Sequence, residues 1–380
     1  MIGVFAHSTN PRGGVVHAMH LAEALCDEGV EAMLLAPGAN RDRFFRAPRC
    51  ASVVIPAAPA PDNVGTLVQM RRREIAAFLS MPDAPHFEIL HVHDSISALA
   101  LCDLAEAGLI DGFMRTVHHL DDFASPRLAA WQDEAVRRAR HLFCVSQMWQ
   151  SELVRRFRRP STLVGNGVDA QHYCPQPGPR DAQLRARWLP QGGRMILAVG
   201  GVEARKNTLG ILHAFFALVA DGAHPDLHLL IAGGASLLDH CAARDAFAEA
   251  LSGSVYRHRV RLLGVVDDED MPALYRNAAM LCFPSLQEGF GLCVLEAMAS
   301  GIPVIVPFGE PFDSYLADGD AIRVDPVSVP AITQAMARAL QPGAVGEASS
   351  RGPARARRFD WRRVARAHLA CYQASASANA

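Results

Sequence analysis

Two doubly wound α/β domains in series, each with a parallel sheet and the pair facing across a cleft, are the fold class this sequence predicts. Three observations predict it. The chain has 380 residues, more than one hydrophobic core usually supports. Short apolar runs alternate with amphipathic segments along both halves, which is the rhythm of strands covered by helices on both faces. That rhythm is interrupted once, at "VGNGVDAQHYCPQPGPRDAQ", Val164 to Gln183, where Gly, Pro, Asn and Asp cluster as linker punctuation.

The elements follow in order. "IGVFAH" is an apolar run of strand length, and helical spacing begins at about Val15 and runs to Glu28. "EAMLLAP" is the next strand, a helix spans about Leu67 to Ser80, and "EILHVHD" leads into a helix from Ser95. "FMRTVHH" and a further helix precede "HLFCVS". Beyond the interruption the strands are "RMILAVGG", "LHLLIAGG", "RVRLLGVV", "AAMLCFPS" and "IPVIVP", and "FDWRRVARAHLACYQ" reads as a closing helix. The first domain is expected to cover residues 1–170 and the second 171–362.

Composition narrows the class. Half of the residues are apolar, a fifth are charged and the formal net charge is −2, a balance of globular chains rather than disordered ones or general nucleic-acid binders. Nine cysteines without CxxC spacing, and an opening that reads directly as a strand, predict a reduced, cytoplasmic protein. No apolar run reaches the length of a spanning helix. Of 37 basic residues only Lys206 is a lysine.

Chemistry concentrates at two strand ends of the second half. "FPSLQEGFGLCVLEAMASGIPVIV", Phe283 to Val306, carries Glu288 in a glycine-rich loop and Glu296 inside the helix that follows. Gly289 and Gly291 let backbone approach a ligand, and the free amides of a helix starting near Gly291 favour an anion. Carboxylates instead accept hydrogen bonds from hydroxyls, so acids on either side of an anion site fit a ligand with polyols flanking phosphate. A nucleoside diphosphate sugar has that layout. The second loop, in "LAVGGVEARKNTLGILHAF", places Arg205 and Lys206 before a helix capped near Asn207 or Thr208. Two cations and another helix start converge there.

With these loops the chain resembles the retaining, family-4-type glycosyltransferases of the GT-B fold, two Rossmann-like domains facing across a cleft. "EGFGLCVLEAMASGIPVI" is similar to that group's E-x7-E signature with its trailing A-x-G-x-P-V. "NPRGGVVHAMHLAEALCDEGVEAML" resembles its glycine loop and first helix, "ILHVHD" and "TVHH" its next strand ends, and "FDWRRVARAHLACY" the helix that returns to the first domain, here residues 363–380. The opening "HSTNPRGGVVHA" more narrowly resembles a bacterial subgroup encoded beside a nitrilase gene.

The resemblance implies roles. Glu288 would contact hydroxyls of the donor sugar and Glu296 the ribose; Phe290, Gly291 and Leu292 would offer amides to the distal phosphate or sugar. Arg205 and Lys206 would neutralise the leaving diphosphate, Gly14 would touch phosphate from across the cleft, and His118 would approach the reacting centre. Transfer would go to an unidentified acceptor hydroxyl with retention of configuration and no metal or other cofactor. Asn10, Arg12 and His119 would lie near the acceptor. One departure stands out: Gly201 occupies the place of an arginine common in the group's "VGR".

Other readings stay open at this level. His118 could be a structural histidine, and His7, His91, His93, Asp94, His118 and Asp121 could be drawn as a metal cluster. The basic runs at Arg71–Glu74, Arg137–Arg140 and Arg155–Arg159 are either solvated helix faces or a peripheral contact with anionic lipid. A noncatalytic nucleotide-sugar-binding protein and an epimerase or hydrolase on the same fold are the alternatives to transfer.

Overall fold

The computed structural model describes residues 1–39, 43–234 and 241–377. The chain divides into two compact units, one of Met1–Gly167 with Trp361–Ala380 and one of Val168–Asp360. The boundary thus falls at Gly167 rather than 170, and the returning segment begins at Trp361 rather than 363. Packing sets these limits: a Cβ on Gly167 would come within 2.7 Å of the Trp361 ring, whereas Val168 N–H already donates to the Phe359 carbonyl at 2.8 Å.

In the first unit the strands are β1 (Ile2–Phe5), β2 (Ala32–Gly38), β3 (Ala51–Pro56), β4 (Ile89–Val92), β5 (Met114–Val117), β6 (His141–Cys144) and β7 (Thr162–Leu163). They form one parallel sheet in the order β3-β2-β1-β4-β5-β6-β7. Its helices are α1 (Gly13–Asp27), α2 (Val64–Leu79), α3 (Ser95–Glu106), α4 (Pro126–Arg137) and α5 (Gln147–Phe157). The order reverses between β1 and β4, and the loops at that switch point carry the glycine loop and His93.

The second unit repeats the plan. Strands β8 (Arg194–Val199), β9 (Leu227–Ala232), β10 (Val260–Gly264), β11 (Met280–Cys282), β12 (Val304–Pro307) and β13 (Ile322–Val324) run parallel in the order β10-β9-β8-β11-β12-β13. Helices α6 (Asp181–Trp188), α7 (Thr208–Ala220), α8 (Cys241–Ser252), α9 (Met271–Asn277), α10 (Leu292–Ala299), α11 (Val329–Ala339) and α12 (Pro342–Ala356) surround it. The reversal lies between β8 and β11, so the loops leaving those strands are the two that hold the cations and Glu288, with Glu296 on the helix α10 that follows. Crevices outside the carboxyl ends at such a reversal are where ligands bind in open α/β sheets.

Helix α13 (Trp361–Ser377) returns to the first unit, and the rest of the expected closing segment, 378–380, lies outside the described residues. There α13 packs on α1, and its Tyr372 and His368 are buried among first-unit side chains. Strands β3, β7 and β13 were not anticipated. β3 is an edge strand whose faces are mostly solvated, β7 has two residues, and β13 has three with a central arginine. None presents the buried apolar run by which most of the others are recognised.

Candidate active site

In the second unit the two loops are bound to each other. Arg205 O accepts from the Leu286 amide at 2.8 Å, and the Asn207 side-chain amide donates to the carbonyls of Pro284 and Pro326 at 3.2 and 2.6 Å. Asn207 is therefore occupied with loop carbonyls and does not cap α7 with its side chain. Gly291, at the start of α10, supplies no cap either, and α1 begins at Arg12 without one. Each helix start leaves its first-turn amides without intrahelical acceptors. Helix α3, entered from β4, differs: Asp94 accepts from the Ser97 amide at 2.7 Å.

Lys206 and Glu288, which the resemblance assigns to diphosphate and sugar, are brought together as an ion pair between Nζ and Oε2. Both side chains are 13% exposed. The ammonium also lies over the Phe283 ring, 4.6 Å from its centroid. Burial would raise the Glu288 carboxyl, but Lys206 and Arg205 together hold it below the ordinary glutamate range. Its Oε1 accepts from the Gly289 amide at 3.1 Å. Arg205 is directed elsewhere: its Nε sits 2.9 Å from Oε2 of Glu203, a carboxylate that sequence reasoning passed over. Only the adjacency of opposite charges in "VEARK" could have signalled that pair.

The Gly201 departure has a local cause. The residue has φ +73°, and a Cβ there would lie 2.9 Å from the Gly234 carbonyl oxygen. An arginine does not fit this backbone.

Glu296 lies on α10, half buried, and accepts from the Tyr275 hydroxyl at 2.6 Å. Burial pushes its carboxyl up to about 7, with the tyrosine bond opposing and Asp268 reinforcing the rise. Tyr275 belongs to α9 and is fully buried. Its inward position is legible in "MPALYRNA", but the carboxylate it meets is not. Phe290 is buried beside Tyr315, and Leu292, the first residue of α10, is half buried. Gly291 has φ +91°, a conformation that favours glycine, and its Cα faces the Phe312 ring, which would stand 3.0 Å from a Cβ.

The first unit assembles a second group. A Cβ on Gly14 would lie 3.3 Å from the His118 ring and 3.6 Å from the His93 carbonyl, so the glycine loop rests on His118. His93 Nδ1 is 3.0 Å from His118 Nε2, and the His17 ring packs 4.8 Å from His118. Burial, reinforced by neighbouring imidazoles, holds His91, His93 and His118 well below the ordinary histidine range. His118 is thus a neutral imidazole whose Nε2 is engaged, leaving Nδ1 as its remaining polar ring atom. His119 is half exposed and 3.2 Å from Asp121. Asn10 is exposed, and its carbonyl accepts from the Arg12 amide at 2.8 Å.

The drawn metal cluster does not assemble. His91 bonds Tyr372 through Nδ1 and Thr116 through Nε2, and Asp94 caps α3. Among the described residues no group of three or more His, Cys, Asp or Glu is arranged to hold a metal ion. The basic runs are largely paired within the unit: Arg71 with Glu74, Arg72 with Asp103, Arg138 with Glu106, Arg155 with Glu152, and Arg156 with Asp133. Arg159 donates to the carbonyls of Arg137 and Ala139. No helix among the described residues is long and apolar enough to cross a membrane.

Two doubly wound parallel-sheet units, each with its glycine-rich loops at the switch point, define a protein of the GT-B class. The solved sucrose-phosphate synthase from Thermosynechococcus elongatus matches with a TM-score of 0.79 at 20% identity, over 99% of both chains. Anabaena HepE, solved with UDP and glucose, matches with 0.76 at 15% identity, over 98% of this chain and 99% of its own. Residues 193–342 match the family described as "Glycosyl transferases group 1", and residues 11–172 match "Glycosyltransferase Family 4". The phosphatidyl-myo-inositol mannosyltransferase of Mycolicibacterium smegmatis is 30% identical across 97% of this chain and 92% of its own length. The chain belongs to this family of GT-B glycosyltransferases.

Proposed function

We propose that the protein is a retaining, metal-independent hexosyltransferase that moves a sugar from a nucleoside diphosphate sugar to an acceptor hydroxyl. The observation that carries this reading is the joining of the two β8 and β11 loops, which sets Lys206, Glu288 and the uncapped starts of α7 and α10 around one place. A departing diphosphate is stabilised there by fixed positive potential, the form of transition-state stabilisation that usually contributes most. Lys206 is a compact point charge suited to phosphate oxygens. Glu288 accepts from sugar hydroxyls and Glu296 from the ribose.

Retention is assigned to attack by the acceptor on the face the diphosphate leaves, with a phosphate oxygen taking the proton. A double displacement would instead need a carboxylate nucleophile beneath the sugar. The M. smegmatis relative is a mannosyltransferase and HepE was solved with UDP and glucose, so mannosyl and glucosyl donors are the first to test. The test is a thermal-shift screen of UDP-, GDP- and ADP-sugars. One donor is expected to raise the melting temperature by several degrees, an increment that mass action gives at concentrations well above Kd. Failure of every nucleotide sugar to shift melting overturns the reading, and a shift without turnover on any acceptor would favour a noncatalytic binding protein.

His118, neutral and held by His93 and Gly14, is assigned to hydrogen bonding with the donor sugar through Nδ1. His118→Ala is expected to lower kcat/KM by about tenfold, the value of one such bond near 1.4 kcal/mol. The kcat profile between pH 6 and 8 should be unchanged, because a neutral imidazole contributes no ionisation there. A histidine inflection that vanished in the variant would contradict this role.

A further inference from the structure

We propose that Tyr315 is a positioning residue that aims the Gly291 amide at the distal phosphate of the donor. The inference rests on the reading of the α10 start as the phosphate end of the site. The Tyr315 hydroxyl donates to the Phe290 carbonyl at 2.8 Å. Its ring stacks on that of Phe290, with centroids 4.5 Å apart and planes within 6°. Phe359 stands edge-on to both rings at 6.4 and 5.8 Å, and Arg355 donates through Nε to the Tyr315 carbonyl at 3.1 Å. Tyr315 is therefore held from three sides, and Phe290 is held by it twice.

The consequence follows from peptide geometry. A trans peptide is planar, with its carbonyl and N–H pointing in opposite directions. Fixing the Phe290 carbonyl on the Tyr315 hydroxyl therefore fixes the direction of the Gly291 N–H. This fixing is needed because glycine accepts many backbone angles at little cost. A peptide turned over between Phe290 and Gly291 would present a carbonyl oxygen where an anion must sit. The Tyr315 bond, together with the Phe312 ring against Gly291, disfavours that alternative. Burial holds the Tyr315 hydroxyl well above the ordinary tyrosine range, so it remains a donor at working pH.

Tyr315→Phe keeps the stacked ring and removes only the hydroxyl. The experiment is calorimetric titration of the wild-type chain and this variant with GDP and GMP, and with UDP and UMP in parallel. The monophosphates lack the distal phosphate that the amide would meet. Tyr315→Phe is expected to weaken the diphosphates by about three- to tenfold, the worth of one oriented hydrogen bond, and to leave the monophosphates within about twofold. A purely structural tyrosine would weaken both alike, and either that outcome or no weakening overturns the proposal. Tyr315→Leu, which also loses the stack, should melt earlier and show at least as large a loss of diphosphate preference. The ratio is read within each variant, so partial unfolding does not obscure it. A wild-type chain that bound no nucleotide would overturn the phosphate site itself. One that preferred diphosphate, with Tyr315→Phe keeping that preference, would remove only the role of Tyr315.

Discussion

Replacing Lys206 with alanine is expected to lower kcat/KM for the sugar donor by about 10²–10³, the range found when one preorganised group facing developing negative charge is removed. The same change acts on the fold through Glu288. In the wild-type chain that carboxyl is held below its ordinary range despite burial, because Lys206 first and Arg205 second oppose the desolvation. Its contribution to stability is present above the unfolded glutamate pKa and is lost as pH falls through the lower folded value. Without Lys206 the larger burial effect is left with Arg205 and the Gly289 amide as its main opposition, and the Glu288 pKa rises. Stability of the variant then declines as pH increases past the ordinary glutamate value.

Melting of the two chains should therefore differ more at pH 7.5 than at pH 5. At the higher pH the difference is about 3 kcal/mol, the low end for stranding one member of a buried pair. Lys206→Arg should recover stability better than activity. The lysine stem passes close to Gly200, where a Cβ would meet its methylenes at 3.0–3.1 Å, and a planar guanidinium at its end cannot reproduce the point contact over Phe283. An equal melting difference at both pH values would show that the pair does not set the Glu288 ionisation. Unchanged donor kinetics in Lys206→Ala would place the phosphate elsewhere.

How far such a site can be read from sequence depends on the range of the interaction. Strands buried on both faces write continuous apolar runs, so β1, β2, β8, β9 and β12 were legible; β3 and β13, half solvated at sheet edges, were not. The two loops were legible because strand, glycine and helix start are close in sequence. That the loops bond each other, through Leu286 to Arg205 and Asn207 to Pro284, depends on the switch point between β8 and β11, which no local pattern records. Glu203 was invisible for a related reason, since an acid next to cations ordinarily reads as solvated, and here it is buried. Tyr275 and Tyr315 come from elements 21 and 25 residues from their partners. Their roles are set by hydroxyl direction, and residue type alone does not encode it.

The ionisation of Glu296 should govern donor binding near neutrality. Burial pushes this carboxyl up to about 7, and Asp268 adds to the rise while the Tyr275 hydroxyl limits it. Ribose hydroxyls donate best to the ionised form, since hydrogen bonds to charged groups are roughly twice as strong as neutral ones. One pH unit below its pKa a carboxyl is only about one-tenth ionised, so KM for the donor should fall by about tenfold as pH rises from 6 to 8. The ligand-free fold responds in the opposite direction. With its folded pKa raised, Glu296 binds more protons in the native state than in the unfolded one between the ordinary glutamate value and 7, so its contribution to stability declines with rising pH over that window.

Glu296→Gln removes both dependences. Its donor KM should be flat from pH 6 to 8 and about tenfold above the wild-type value at pH 8, while its melting temperature should exceed that of the wild type most clearly above pH 7. Tyr275→Phe separates the hydroxyl from the carboxylate: losing the bond that lowers the Glu296 pKa should move the KM inflection to higher pH without flattening it. A wild-type donor KM independent of pH between 6 and 8 would remove Glu296 from the ribose. An inflection that Tyr275→Phe left in place would show that this hydroxyl does not set the charge on the carboxylate.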